Sequence, residues 1–72
     1  MKKQAKPKTI VEALKMLAAF NQYRVEMTRM DGRWECAISR KEAAFAAIGI
    51  GHSDHLQDAI HAAVMMAREA IK

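Results

Sequence analysis

Seventy-two residues, 51% hydrophobic but only 6% aromatic, describe one small domain with a thin, alanine-rich core and no room for a second. The formal net charge of +4 comes from Lys2, Lys3, Lys6 and Lys8, and from residue 9 onward the chain is balanced. A single cysteine excludes an internal disulfide and suits a reducing cytoplasm, and no apolar run reaches the length of a membrane span or signal peptide.

Residues 1–8, MKKQAKPK, are polar and contain the only proline, so they are expected to form a disordered basic arm ahead of a single domain over 9–72. Such an arm adds phosphate affinity without sequence preference. Thr9 followed by Glu12 forms a capping box, and Ile10, Ala13, Leu14, Leu17 and Ala18 recur at helical spacing. The first helix should end near Phe20-Asn21, with Glu12, Lys15 and Met16 off its apolar stripe.

Tyr23 to Arg40 reads as a β-hairpin closed by Asp31-Gly32. The two-residue turn pairs Met30 with Arg33, Arg29 with Trp34, Met27 with Cys36, Val25 with Ile38 and Tyr23 with Arg40. One face then collects Tyr23, Val25, Met27, Trp34, Cys36 and Ile38. The other collects Arg24, Glu26, Thr28, Arg33, Glu35 and Ser39. The alternation of both strands agrees with this register, and a slip of one residue would destroy the agreement.

Residues 41–52 admit two readings. Ser39 with Glu42 caps a short alanine-rich helix ending at Gly49, or the chain turns at Lys41-Glu42 and returns as a third strand with Ile48 and Ile50 inward. The strand is favoured, because a lone hairpin is a poor platform for two amphipathic helices. In the last helix, capped by Ser53 or Asp54, the apolar line is Leu56, Ala59, Ile60, Ala63, Val64, Ala67 and Ile71. Met65 and Met66 cannot both face inward. The expected fold is α+β, a two-layer αβββα sandwich with a three-stranded antiparallel sheet and both helices on one face.

This order, the YRV at Tyr23–Val25, the aromatic-x-Cys at Trp34 and Cys36, and the Gly-x-Gly-x-Ser of Gly49, Gly51 and Ser53 resemble the double-stranded RNA-binding domain. That resemblance implies the αβββα fold and an RNA-duplex surface. Where the family places phosphate-binding lysines after the serine, this chain has Asp54 and His55, and its Asp31-Gly32 turn is shorter than the family's groove-reaching loop. A second likeness, through the hairpin, the G-x-S element and Asp58-Ala59-Ile60, is to HicB-type antitoxins and implies a toxin-binding dimer. In size and alanine richness the chain also resembles small accessory proteins of phages and mobile elements, which implies stoichiometric binding to a host protein.

Candidate sites follow from these elements. The turn leading into the last helix offers backbone amides to an anion, giving a candidate phosphate or nucleic-acid set of Lys2, Lys3, Lys6, Lys8, Lys15, Gly49, Gly51, His52, Ser53 and His55. His52, His55 and His61 do not share a helix face and have no cysteine or carboxylate pair to complete a metal site. With Cys36 directed into the core and no nucleophile near the histidines, neither catalysis nor a cofactor is expected. The open sheet face, with Arg24, Glu26, Met30, Arg33 and Glu35, suits a polar protein interface, whereas base stacking would need exposed rings.

The sequence therefore points to a small non-enzymatic, cytoplasmic binding protein. Its expected partner is a host protein or protein complex, as for a phage-type inhibitor. Nucleic-acid binding and an antitoxin-like dimer are the alternatives, a homodimer is a further expectation, and no membrane partner is expected.

Overall fold

The computed structural model describes residues 6–71, apart from the side chain of Ala44. Five principal elements follow in order: α1 (Ile10–Met16), β1 (Tyr23–Met30), β2 (Arg33–Arg40), β3 (Ala43–Ser53) and α2 (Leu56–Ala70). A 3-10 turn, Leu17–Phe20, extends α1. The strands form one antiparallel sheet in the order β1-β2-β3, with the helices layered on one side of it. Two layers suffice to account for Cα extents of 35 × 30 × 16 Å. The αβββα layout is thus the one expected from the sequence.

The β1-β2 hairpin has the anticipated register at every pair from Tyr23↔Arg40 to Met30↔Arg33. Its turn places Asp31 at φ 54° and Gly32 at φ 77°. Two consecutive positive φ values give the twist that a two-residue hairpin needs, and Asp-Gly supplies it at low steric cost. Cys36 and Ile38 are fully buried on the inner face, with Tyr23, Val25 and Trp34 packed at the edge of the core. Met27, expected on that face, is 39% exposed at the margin that the helices leave uncovered.

Residues 43–53 are the third strand, turning at Lys41-Glu42 as favoured. Its facing departs from expectation. Gly49 and Gly51 lie opposite Ile38 and Cys36 and so occupy the inward positions, whereas Ile50 pairs with Ala37 and points to the outer face. The physical cause is α2. A Cβ on Gly49 would collide with the Ala63 carbonyl and come within 2.9 Å of the Ala67 Cβ; one on Gly51 would collide with the Ala59 carbonyl and come within 2.7 Å of the Ala63 amide nitrogen. Two residues of strand advance about as far as four residues of helix. The two glycines therefore meet successive turns of the Ala59-Ala63-Ala67 line, and α2 runs antiparallel to β3.

Two register shifts interrupt the β2-β3 pairing. Ser39 faces Ala47 while Ile38 faces Gly49, leaving Ile48 over; Arg40 faces Ala43, leaving Ala44, Phe45 and Ala46 without opposite residues. Ser39, expected on the open polar face, lies at this irregularity and is buried. Ile48 packs against the core.

The helices also correct two expectations. Along α1 and its 3-10 extension the buried residues are Ala13, Met16 and Phe20, with Leu17 partly covered; Ile10 and Leu14 are 47% and 45% exposed, and Ala18 is exposed. Ala13, Met16 and Phe20 follow one another at three and four residues, so the packed face is itself a helical stripe, turned away from the line through Ile10, Leu14 and Ala18. Phe20 then meets Tyr23 edge to face, with ring centres 5.5 Å apart. In α2 the expected Ala59, Ile60, Ala63, Val64 and Ala67 are buried, Leu56 is partly covered and Ile71 is 40% exposed. Met65 packs inward and Met66 outward.

The caps are divided similarly. Thr9 Oγ1 accepts the Glu12 amide at 3.1 Å, as the capping box requires, while the Glu12 carboxylate accepts the Lys8 amide at 2.6 Å. At α2 the N-cap is His55, beyond both candidates; Ser53 Oγ instead accepts the His55 amide at 3.2 Å and closes the link from β3. Of the basic arm, residues 1–5 lie outside the described residues, and Pro7 is buried.

Candidate functional site: the outer face of the sheet

Alternation assigns every outward side chain of the sheet. Because α2 covers the inner face of β2 and β3, residues one step out of phase with Cys36, Ile38, Gly49 and Gly51 must face away from the helices. Arg24, Glu26, Thr28 and Met30 come from β1, Arg33, Glu35 and Ala37 from β2, and Ile50 and His52 from β3. The five residues selected from the sequence as a protein-contact set thus share one face, and β2, the middle strand, carries Arg33 and Glu35.

The charges on this face are internally matched. Arg24 Nη2 lies 3.1 Å from Glu26 Oε2, two residues along the same strand. Arg33 Nε lies 3.6 Å from Asp54 Oδ1, just beyond the end of β3, and the His52 Nε2–Glu35 Oε1 contact is 2.8 Å. The last follows from register, since Glu35 and His52 are direct cross-strand partners. All six side chains are substantially exposed, so each pair contributes little stability and can rearrange on contact with a partner.

Apolar surface accompanies these charges. Met30 is 67% exposed at the end of β1, and Ile50 is 38% exposed beside Ala37. An open depression of about 240 Å³ lies at the hairpin end, where Thr28, Met30, Arg33, Trp34 and Glu35 meet His52. On the other, helix-bearing face of the same hairpin end, the Arg29 guanidinium stands 5.7 Å from the centre of the ring of its cross-strand partner Trp34.

The candidate phosphate set is dispersed. Gly49 and Gly51 belong to β3 and are buried beneath α2 instead of forming an open turn, so their position is explained by helix packing. Ser53 engages the His55 amide. His52 lies on the outer sheet face, whereas Lys15 lies on α1 in the helical layer, on the opposite side of the sheet. Lys6 and Lys8 are exposed before α1, and Lys2 and Lys3 lie outside the described residues.

The histidines are similarly separated. His61 is half-buried on α2, and its Nε2 has no hydrogen-bond partner among the described residues. Among those residues, no group of three or more His, Cys, Asp or Glu side chains is placed to hold a metal ion. Cys36 is fully buried, and burial pushes its thiol up to about 11 from an ordinary 9.0. No helix among the described residues is long and apolar enough to cross a membrane.

The residues of the outer face were legible from strand alternation. Asp54, Ile50 and His52 were missed as members of that face, because their placement depends on the β3 register. The only sequence signal for it was the spacing of Gly49 and Gly51, read in relation to Ala59, Ala63 and Ala67.

Comparison with family models, curated proteins and solved structures returns no match.

Proposed function

We propose that the protein acts by stoichiometric binding, and that the outer face of its sheet is the surface that meets a protein partner. The observation that carries this reading is the internal charge matching of that face: Arg24 and Arg33 are each already paired with a carboxylate. A surface that gathers phosphates presents cations in excess, whereas mixed charge around exposed apolar groups is the composition of a protein interface rim and core. Met30 and Ile50 supply the apolar contacts, and Arg33 and Glu35 set orientation by complementary charge. The specific form of this reading is an accessory or inhibitor protein of a phage or mobile element acting on a host protein. The small size of the chain and its one uncovered sheet face support it.

The test compares the wild-type chain with the doubly charge-swapped Arg33→Glu/Glu35→Arg variant, which retains net charge. Capture of a protein from cell extract by the wild type and its loss in the folded variant is the expected result. In parallel, fluorescence anisotropy with duplex RNA, duplex DNA and single strands should show no binding that survives both physiological salt and deletion of residues 1–8. Nucleic-acid binding that survives both conditions overturns the reading.

A further inference from the structure

Phe45 is the one large apolar side chain among the described residues that is completely open to solvent. It stands on the segment of β3 that has no opposite residues in β2, where the ladder is interrupted. Immediately before it, the chain turns at Lys41-Glu42. Beside the turn is an open depression of about 370 Å³ lined by Gln22, Tyr23, Arg40 and Glu42. Among the described residues, Arg40 and Glu42 take part in no ion pair and no side-chain hydrogen bond.

We propose that this end of the sheet docks a second copy of the chain across a two-fold axis, each Phe45 ring seating in the Tyr23–Arg40 depression of the other copy. An isologous interface requires projection and hollow to lie on one patch, and here Phe45 stands three residues beyond Glu42, which lines the hollow. Charge favours the same occupant. The turn carries Lys41 followed by Glu42, so an axis passing beside it sets Lys41 of each copy against Glu42 of the other, without a like-charge clash. Within the hollow, the uncommitted Arg40 guanidinium is available to the face of the incoming ring, and Tyr23 offers an aromatic wall. The outer-face reading does not depend on this dimer, and either can hold without the other.

Sedimentation equilibrium of the full chain, from low to high micromolar concentration, tests the proposal. The wild type should pass from monomer to dimer. Phe45→Ala should retain the wild-type circular dichroism spectrum, because the ring supports nothing in the monomer, and should weaken association at least tenfold; Arg40→Ala should also weaken it. Labelled Phe45→Ala should associate with Arg40→Ala more strongly than with itself, since the mixed pair keeps one intact ring-in-hollow contact and Phe45→Ala alone keeps none. A wild-type chain that stays monomeric throughout overturns the proposal. So does a Phe45→Ala chain that associates like the wild type, or one that binds Arg40→Ala no better than itself.

Discussion

Gly51 faces Cys36 across the sheet and lies directly beneath the Ala59 carbonyl of α2, so the space left by its missing side chain is filled by the helix. Gly51→Ala therefore has no local remedy. The obstructing atoms include helix backbone, with the Ala63 amide nitrogen at 2.7 Å, and α2 must lift as a unit. Destabilisation of about 2–3 kcal/mol is expected from overpacking, with Gly49→Ala close behind. Urea unfolding monitored by circular dichroism measures both, and a change below about 0.5 kcal/mol would contradict the packing described.

Gly32 presents the opposite case. Nothing lies within 4 Å of a Cβ there, but the backbone stands at φ 77°. Gly32→Ala should cost about 1 kcal/mol through backbone strain alone, less than Gly51→Ala despite the same change in volume. The ranking of the two unfolding midpoints is the measurement that decides.

Met16 and Leu14 provide a third comparison. Met16 is 7% exposed within the core and Leu14 is 45% exposed. Met16→Ala should cost about 2–3 kcal/mol, whereas Leu14→Ala should cost less than about 1 kcal/mol. Equal losses in thermal unfolding would restore the stripe extrapolated from the sequence.

Cys36 sets an alkaline limit. Burial places its folded-state pKa at about 11 against an ordinary 9.0, so between these values the unfolded chain releases a proton that the folded chain retains. Its stabilising effect is complete below about pH 9 and declines as pH rises towards 11. In Cys36→Ala the stability is lower at neutral pH because of the cavity, but its fall across this alkaline window should be shallower than in the wild type. Paired urea titrations at neutral and alkaline pH measure that difference in slope, and identical slopes would mean that the thiol is not buried in solution. Native Cys36 should also react with a thiol reagent at neutral pH only as fast as the protein opens.

The hairpin was legible because two independent signals, the Asp31-Gly32 turn and the alternation of β1 and β2, specify the same register. Ile50 was misplaced for a physical reason: hydrophobicity predicts inward facing only where the opposing layer leaves room for a side chain. Here an alanine-lined helix comes so close that glycine must occupy the inner positions. Met16 was misread because Ile10, Leu14 and Ala18 offer a second apolar line at helical spacing, and apolar residues on two sides of so short a helix do not say which side packs. At the candidate site, Arg24, Glu26, Met30, Arg33 and Glu35 could be assigned to one face from β1 and β2 alone. Their pairing with Asp54 and His52 was hidden, because it rests on the register of β3, a strand whose repeated small residues carry little alternation.

A sheet that packs helices on one side only has a further consequence. Stability resides with Cys36, Ile38 and α2, whereas Arg24, Glu26, Thr28 and Glu35 support nothing beneath them. Replacements at those positions should each cost no more than about 0.5 kcal/mol. The two sides of one β-strand are thereby released from each other: the outer surface can change its chemistry without renegotiating how the chain folds.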